Sequence, residues 1–523
     1  MSKLRVLSCA LVFLASSGCS SAEVSPRLEQ VLEVAVASPA AFVPTATWSP
    51  CALTTENTDA SAECASVDVP LDWSTPAGEK ISIFVKRLRS VGVRGAVRPH
   101  AAVSPAASGV IWLLGESPGS SGVELETLAH DLLDKTGGVD VYLPDARGTG
   151  RSTKLACPPE ESPRSPGGIA ITTSEWVGCL ASLREQWGAR LSAFSTTQSA
   201  YDLSAIAAST VTTGQSIFFY GRGYGSYLAA RVVTVSATKP SGVIMDSACL
   251  PGACYFSQED AWYADAGKRL MSACADDPFC RSKLGGDPWA RVGEALDVLD
   301  AGGCRALADH GIDRIKLRVL FASYLGDSEK RALIPAIAYR ILRCSEGDAR
   351  ALAKFATDRN GPERIPAATR YRSQALATHI IFSELSETAH LGLLDPAAVF
   401  DPSDRLVAGD LEDTWPRYVD LLAQSWPARE VPTLVLAGRL DPASSLREDA
   451  VQRHWPSAHV VSFPASTGGA ARDACGLTVL SDFLEHAGSA ADASCVTGLR
   501  AMSFTTSPAL AGITFGTQDL WEN

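Results

Sequence analysis

Three turns carry residue types and spacings that belong to acyl-transfer chemistry. Gly221-Arg222-Gly223-Tyr224-Gly225 stands between an apolar strand and a helix. That is the setting of a nucleophile elbow, G-x-S-x-G, in which a tight strand-to-helix turn raises the middle side chain toward a substrate. Such chemistry needs a nucleophile, a histidine to take its proton and an acid to orient the histidine. It also needs two backbone N–H groups for the oxyanion. Here the middle residue is Gly223, which has no side chain. Asp441 stands in Leu436-Ala437-Gly438-Arg439-Leu440-Asp441-Pro442, which ends another strand. The loop after the strand at 459–463 reads Pro464-Ala465-Ser466-Thr467-Gly468-Gly469-Ala470. No histidine occurs between 460 and 485. The oxyanion donors are expected from Tyr224 and from the loop holding Glu116 and Ser117. A carboxylate at 116 would oppose a developing negative charge.

A further turn, Asp145-Ala146-Arg147-Gly148-Thr149-Gly150-Arg151-Ser152, follows another strand. In this order the turns resemble the exported tripeptidyl-aminopeptidase-like branch of the proline iminopeptidase family of α/β-hydrolases. The corresponding segments there look like D-P-R-G-T-G-R-S, G-x-S-Y-G-T and G-x-x-D-P. The family's oxyanion loop, G-G-P-G-G-S-G, matches Glu116-Ser117-Pro118-Gly119-Ser120-Ser121-Gly122. Trp48, Cys51, Cys64, Val69-Pro70-Leu71-Asp72 and the Cys157/Cys179 pair also fit. The resemblance runs from about 48 to 495, loosely between 252 and 427. It implies a serine hydrolase of the aminopeptidase or esterase class, with no metal or other cofactor. The resemblance places the nucleophile at Gly223, the acid at Asp441 and the histidine at Gly468, so the chain departs from it at two of three triad positions, and losing a triad costs on the order of 10⁶ in kcat. Glycine at the elbow also relieves backbone strain. The leading reading is therefore a pseudoenzyme that binds or scaffolds a peptide or small acyl ligand in a cleft under its cap. The alternatives are an active serine-type peptidase or esterase using other residues, and a structural envelope protein whose cleft has filled.

The elements around these turns alternate strand and helix. Residues 80–89 alternate as a half-buried strand, and 110–114, 139–144, 216–220 and 242–245 are short apolar runs. Helical patterns lie at 125–133, 197–208 and 226–236. Continuous apolar strands between helices predict a mostly parallel sheet covered on both faces. From 252 to 427 the pattern becomes helical, as at 258–274 and 329–344, before strands return at 432–436 and 459–463 and a helix at 477–486. The expected fold is an α/β-hydrolase core, 48–251 and 428–523, with a helical cap at 252–427 between late strands.

The N-terminus reads as a targeting segment. Lys3 and Arg5 precede an apolar stretch at 6–15 and then Ser16-Ser17-Gly18-Cys19. This resembles a bacterial lipoprotein signal over 1–19 with lipidation of Cys19, followed by a tether at 20–47; cleavage near Ala22 is the other route, giving a secreted or periplasmic protein. Of fourteen cysteines, twelve remain after Cys9 and Cys19. Neighbours suggest the pairs Cys51–Cys64, Cys157–Cys179, Cys249–Cys254, Cys274–Cys280, Cys304–Cys344 and Cys475–Cys495, although spacing does not fix connectivity. No C-x-x-C pair supports a metal site. A net charge of −12 argues against a nucleic-acid partner.

Other residues have plainer readings. Asp441 could brace its turn, Arg147 could organise the loop beneath the site, and Glu116 could be a solvated loop acid. His379 and His390 read as surface helix residues. Gly221-x-Gly223-x-x-Ser226 with Asp246 superficially resembles a dinucleotide fingerprint, but the turn is not the first β–α unit, so no nucleotide cofactor is expected.

Overall fold

The computed structural model describes residues 42–90, 108–359, 367–386, 398–400, 411, 413–426, 431–442, 451–452, 455–486, 491–500, 502–505 and 508–522. Cys19, the targeting segment, His390 and nearly all of the expected tether lie outside them.

Nine strands form one sheet: β1 (Ser49–Cys51), β2 (Ala62–Pro70), β3 (Lys80–Leu88), β4 (Gly109–Leu114), β5 (Val139–Pro144), β6 (Ser216–Arg222), β7 (Gly242–Asp246), β8 (Thr433–Gly438) and β9 (Ala458–Phe463). Their spatial order is β1-β2-β3-β5-β4-β6-β7-β8-β9. The first three pair antiparallel, and β3 joins β5 antiparallel. From β5 onward every pairing is parallel. The exchange of β4 and β5 follows from helical crossovers, which return the chain to the same end of the sheet. This is the strand order of the α/β-hydrolase fold expected from the sequence.

The apolar runs are continuous because both faces are covered. Val110, Trp112 and Leu114 of β4 enter one hydrophobic cluster, while Ile111 and Leu113 enter another. Alternation along a strand forces this split. Helices Trp176–Trp187, Thr196–Thr210, Tyr224–Val235 and Gln374–Glu384 cover the first face; Glu126–Thr136 and Ala474–Glu485 cover the second.

A third cluster is built by helices such as Glu259–Asp276, Pro288–Asp300 and Leu333–Arg343. The expected helix at 329–344 starts later, at Leu333, because Asp327 accepts the backbone N–H groups of Glu329 (2.9 Å) and Lys330 (3.2 Å) in a local turn. The end of the chain differs from expectation. Residues 428–523 were assigned to the sheet core, yet Phe504, Phe515, Leu520 and Trp521 enter the third cluster. Arg340 holds them there: its Nε donates to Leu520 O at 2.7 Å and its Nη2 to Glu522 O at 2.6 Å.

All six expected cysteine pairs are disulfides. Their number suggests an exported chain that folds in an oxidising compartment. Among the described residues no helix is long and apolar enough to cross a membrane.

Candidate functional site

The site lies at the C-terminal ends of the parallel strands. β6 ends in Arg222, Gly223 forms the turn, and the helix starts at Tyr224. Gly223 has φ 51° and ψ −123°, a backbone region that glycine enters without penalty. Its N–H donates to Asp246 O at 3.0 Å, which pins the elbow to the end of β7. The predicted nucleophile slot is therefore an elbow in shape.

The chain itself fills the place in front of that slot. An ideal Cβ on Gly223 would stand 2.6 Å from the carbonyl oxygen of Glu116. The same oxygen accepts the backbone N–H of Tyr224 at 2.6 Å. Ser117 donates its N–H to Ser120 Oγ at 3.2 Å. The N–H groups of Tyr224 and Ser117, both expected at an oxyanion hole, are thus engaged within the protein. A hole of this kind works only when its donors point at an open position.

The side chain of Glu116 also differs from a solvated loop acid. Its Oε1 lies 2.9 Å from Arg222 Nη2. Arg222 is buried, with 9% of its side chain exposed against 41% for Glu116. Burial disfavours the guanidinium charge, but Glu116, then Tyr220 and Asp246, more than offset this, so the Arg222 pKa moves up. Arg222 Nε and Nη1 have no hydrogen-bond partner among the described residues. The guanidinium packs on Gly469, where an ideal Cβ would lie 2.9 Å from Arg222 Cζ.

Gly468 and Asp441 lie close together. Gly468 has φ 104°, and an ideal Cβ there would lie 3.3 Å from Asp441 Oδ1 and 3.2 Å from Ser247 Oγ. Asp441 is buried, in a turn closed by its own N–H to Gly438 O at 3.2 Å.

Residues of the plainer readings hold the frame. Arg147 is buried and donates from Nε and Nη2 to Asp202 at 2.7 and 2.6 Å, and from Nη1 to Leu71 O and Ala193 O. It organises the loop and is not among the residues that line the cavity beside Gly223. Asp145 accepts Gly122 N–H and Arg151 N–H, each at 2.9 Å, tying the oxyanion loop to the 145–152 turn. Ser226 donates to Gly223 O at 2.6 Å, and Asp246 accepts the N–H groups of Ala470 and Ala471 and the Tyr220 hydroxyl. Both residues of the rival fingerprint are therefore engaged in shaping the elbow.

His379 is a correction. It is fully buried rather than on a surface, with Nε2 3.0 Å from Leu191 O and Nδ1 accepting Trp415 Nε1–H at 3.0 Å. Burial pulls its pKa down to about 4. Sequence reasoning also missed Glu384, which accepts Thr196 N–H at 2.9 Å and the hydroxyls of Tyr227 and Tyr418. Burial pushes its pKa up, and neighbouring Asp420 adds to this. Tyr224 Oη lies 2.9 Å from Thr196 Oγ1, so this cluster bolts Gln374–Glu384 to the elbow helix. A glutamate between apolar residues at 380–385 was the available signal.

A cavity of about 850 Å³ opens beside Gly223, lined by Tyr224, Asp441, Trp176, Trp262 and Ile381 among others. That size and lining suit a small ligand. Among the described residues no group of three His, Cys, Asp or Glu side chains is placed to hold a metal.

No protein-family model matches the chain. Over 234 residues it is 25% identical to the tripeptidyl aminopeptidase of Streptomyces lividans, in a match covering 41% of this chain and 40% of that protein. Among solved structures it is similar to a proline iminopeptidase from Mycobacterium smegmatis (TM-score 0.37, 16% identity, 81% of this chain and 98% of that one). It is also similar to an α/β hydrolase from Novosphingobium aromaticivorans (0.33, 10%, 85% and 99%). The strand order and the elbow between β6 and its helix give the chain an α/β-hydrolase fold, and part of its sequence is similar to that of tripeptidyl aminopeptidase.

Proposed function

We propose that this chain is a non-catalytic member of its superfamily, a pseudoenzyme that keeps the hydrolase cavity as a binding site. One observation carries the reading: the Glu116 carbonyl stands against Gly223 and takes the Tyr224 N–H that an oxyanion would need. Glycine at 223 and 468 removes nucleophile and base, and the Glu116–Arg222 pair braces the loop in place. The cavity supports a ligand of peptide or acyl type. The N-terminal sequence supports export and a lipid anchor at Cys19 on the bacterial envelope.

The test is a fluorophosphonate probe on the purified protein, beside mass spectrometry of a peptide library incubated with it. Absence of labelling and of cleavage is expected. Labelling at any serine would instead mean an active serine hydrolase using other residues. Mass spectrometry of the mature N-terminus should find a diacylglyceryl group on Cys19; an unmodified N-terminus at another residue would remove the anchor.

A further inference from the structure

One wall of the cavity is built by 154–176 and 369–378, and its lining charges are uneven. Lys154, Arg370 and Arg372 line it, against a single carboxylate, Glu161. Glu161 is already engaged, accepting Cys157 N–H at 3.0 Å and Gln374 N–H at 3.1 Å, and burial raises its pKa. The cations of this wall outnumber its one carboxylate three to one, with Arg372 also ion-paired to Glu124 at 2.8 Å.

The cations are held by a braced frame. Gln374 Nε2 donates to Ile169 O at 2.6 Å, and Gln374 Oε1 accepts Ile171 N–H at 3.1 Å. Gly150 N–H donates to Tyr371 O at 2.9 Å. Lys154 Nζ lies 3.5 Å from Arg370 O, and Arg372 is positioned by Glu124 at 2.8 Å and Ser117 Oγ at 3.4 Å. Groups fixed before binding lose less freedom when a ligand arrives.

Depth sorts the chemistry. Arg370 is exposed and Lys154 and Arg372 are half-buried, so the cations form a rim. Trp176, Trp262 and Ile381 are buried in the cavity lining. The carboxylates Glu259 and Asp441 line it from other segments.

We propose that the cavity binds an apolar chain ending in a free carboxylate. Lys154, Arg370 and Arg372 take the carboxylate at the rim, and Trp176, Trp262 and Ile381 take the body. This rests on reading the cavity as a binding site and adds the end group that is recognised. A peptide C-terminus and a fatty acid share this chemistry.

Calorimetry on the full exported protein tests it with three probes: the tetrapeptide Ala-Phe-Ala-Leu as free acid, its C-terminal amide, and decanoate. The free acid, decanoate or both should bind at least about tenfold more tightly than the amide, a loss typical of a missing charged hydrogen bond. Which of them does so names the source. The preference should shrink at high salt, because the rim is exposed. The double variant Lys154→Met/Arg370→Met should abolish the preference. Trp176→Ala should weaken acid and amide alike. Equal binding of acid and amide with no gain for decanoate, a preference that survives the double variant, or no binding of any probe overturns the proposal. Mass spectrometry of the recovered peptide separates the two readings: cleavage would overturn the non-catalytic assignment and leave the carboxylate rule standing.

Discussion

The carbonyl oxygen of Glu116 sits 2.6 Å from the backbone nitrogen of Tyr224 and accepts its N–H. In an acyl-transfer site that donor must meet the charge that develops on the substrate oxygen. Here the loop supplies the acceptor itself.

Gly223→Ser should therefore damage the fold without creating a nucleophile. The new Cβ meets Glu116 O at 2.6 Å and takes a φ of 51°. Strain and overpacking together cost about 2–4 kcal/mol. Thermal melting should show a lower Tm. The double variant Gly223→Ser/Gly468→His should remain unlabelled by a fluorophosphonate, since Tyr224 N–H stays engaged. Recovered activity would mean that the 115–122 loop moves aside readily.

Asp202→Ala should be among the most damaging single changes. It leaves Arg147 charged, buried and without its carboxylate, and it also strips Trp73 Nε1 of its acceptor at 2.7 Å. Breaking a buried pair in this way costs about 3–5 kcal/mol. Urea unfolding should show the loss, while Glu79→Ala, which breaks an exposed pair with Arg190, should change stability by less than about 1 kcal/mol.

Acid should weaken the protein through His379. Its folded pKa of about 4 lies below the unfolded value, so the neutral ring is favoured on folding. The contribution is present in full above about pH 6.5 and is lost as pH falls toward 4, by about 3 kcal/mol in all. Chemical unfolding at pH 7 and pH 4.5 should show a steeper loss in the parent than in His379→Gln.

The disulfides should differ in weight with the loops they close. Cys304–Cys344 spans 40 residues and Cys249–Cys254 spans 5. Chain-entropy arguments give about 4 kcal/mol for the first and about 2 for the second. Alanine replacement of each pair, followed by melting under non-reducing conditions, should rank them in that order.

Much of the fold is legible in the sequence because it depends on local signals. The apolar runs at 110–114 and 139–144 became β4 and β5, and neighbouring cysteines paired as their spacing suggested. The tight turn between β6 and its helix was readable from the glycines at 221, 223 and 225. What could not be read depends on distant partners. Nothing in the letters around Glu116 says that its backbone oxygen will lie against Gly223, or that Arg222 will take its carboxylate. His379 looks amphipathic by position, but Leu191 and Trp415, far away in the chain, make it a core residue. The last residues join the helical layer through Arg340, an arrangement fixed by tertiary packing rather than by any periodicity.

The disulfides also bear on how the chain is made. Each cysteine bonds with the next one along the described chain, and no bridge spans more than 40 residues. A polypeptide threading out of the cytoplasm presents its thiols in that same order. An oxidant that simply joins each newly emerged thiol to the one before it produces the native set. Maturation then requires no reshuffling of wrong pairs, which is the slow, isomerase-dependent stage for chains whose bridges interleave.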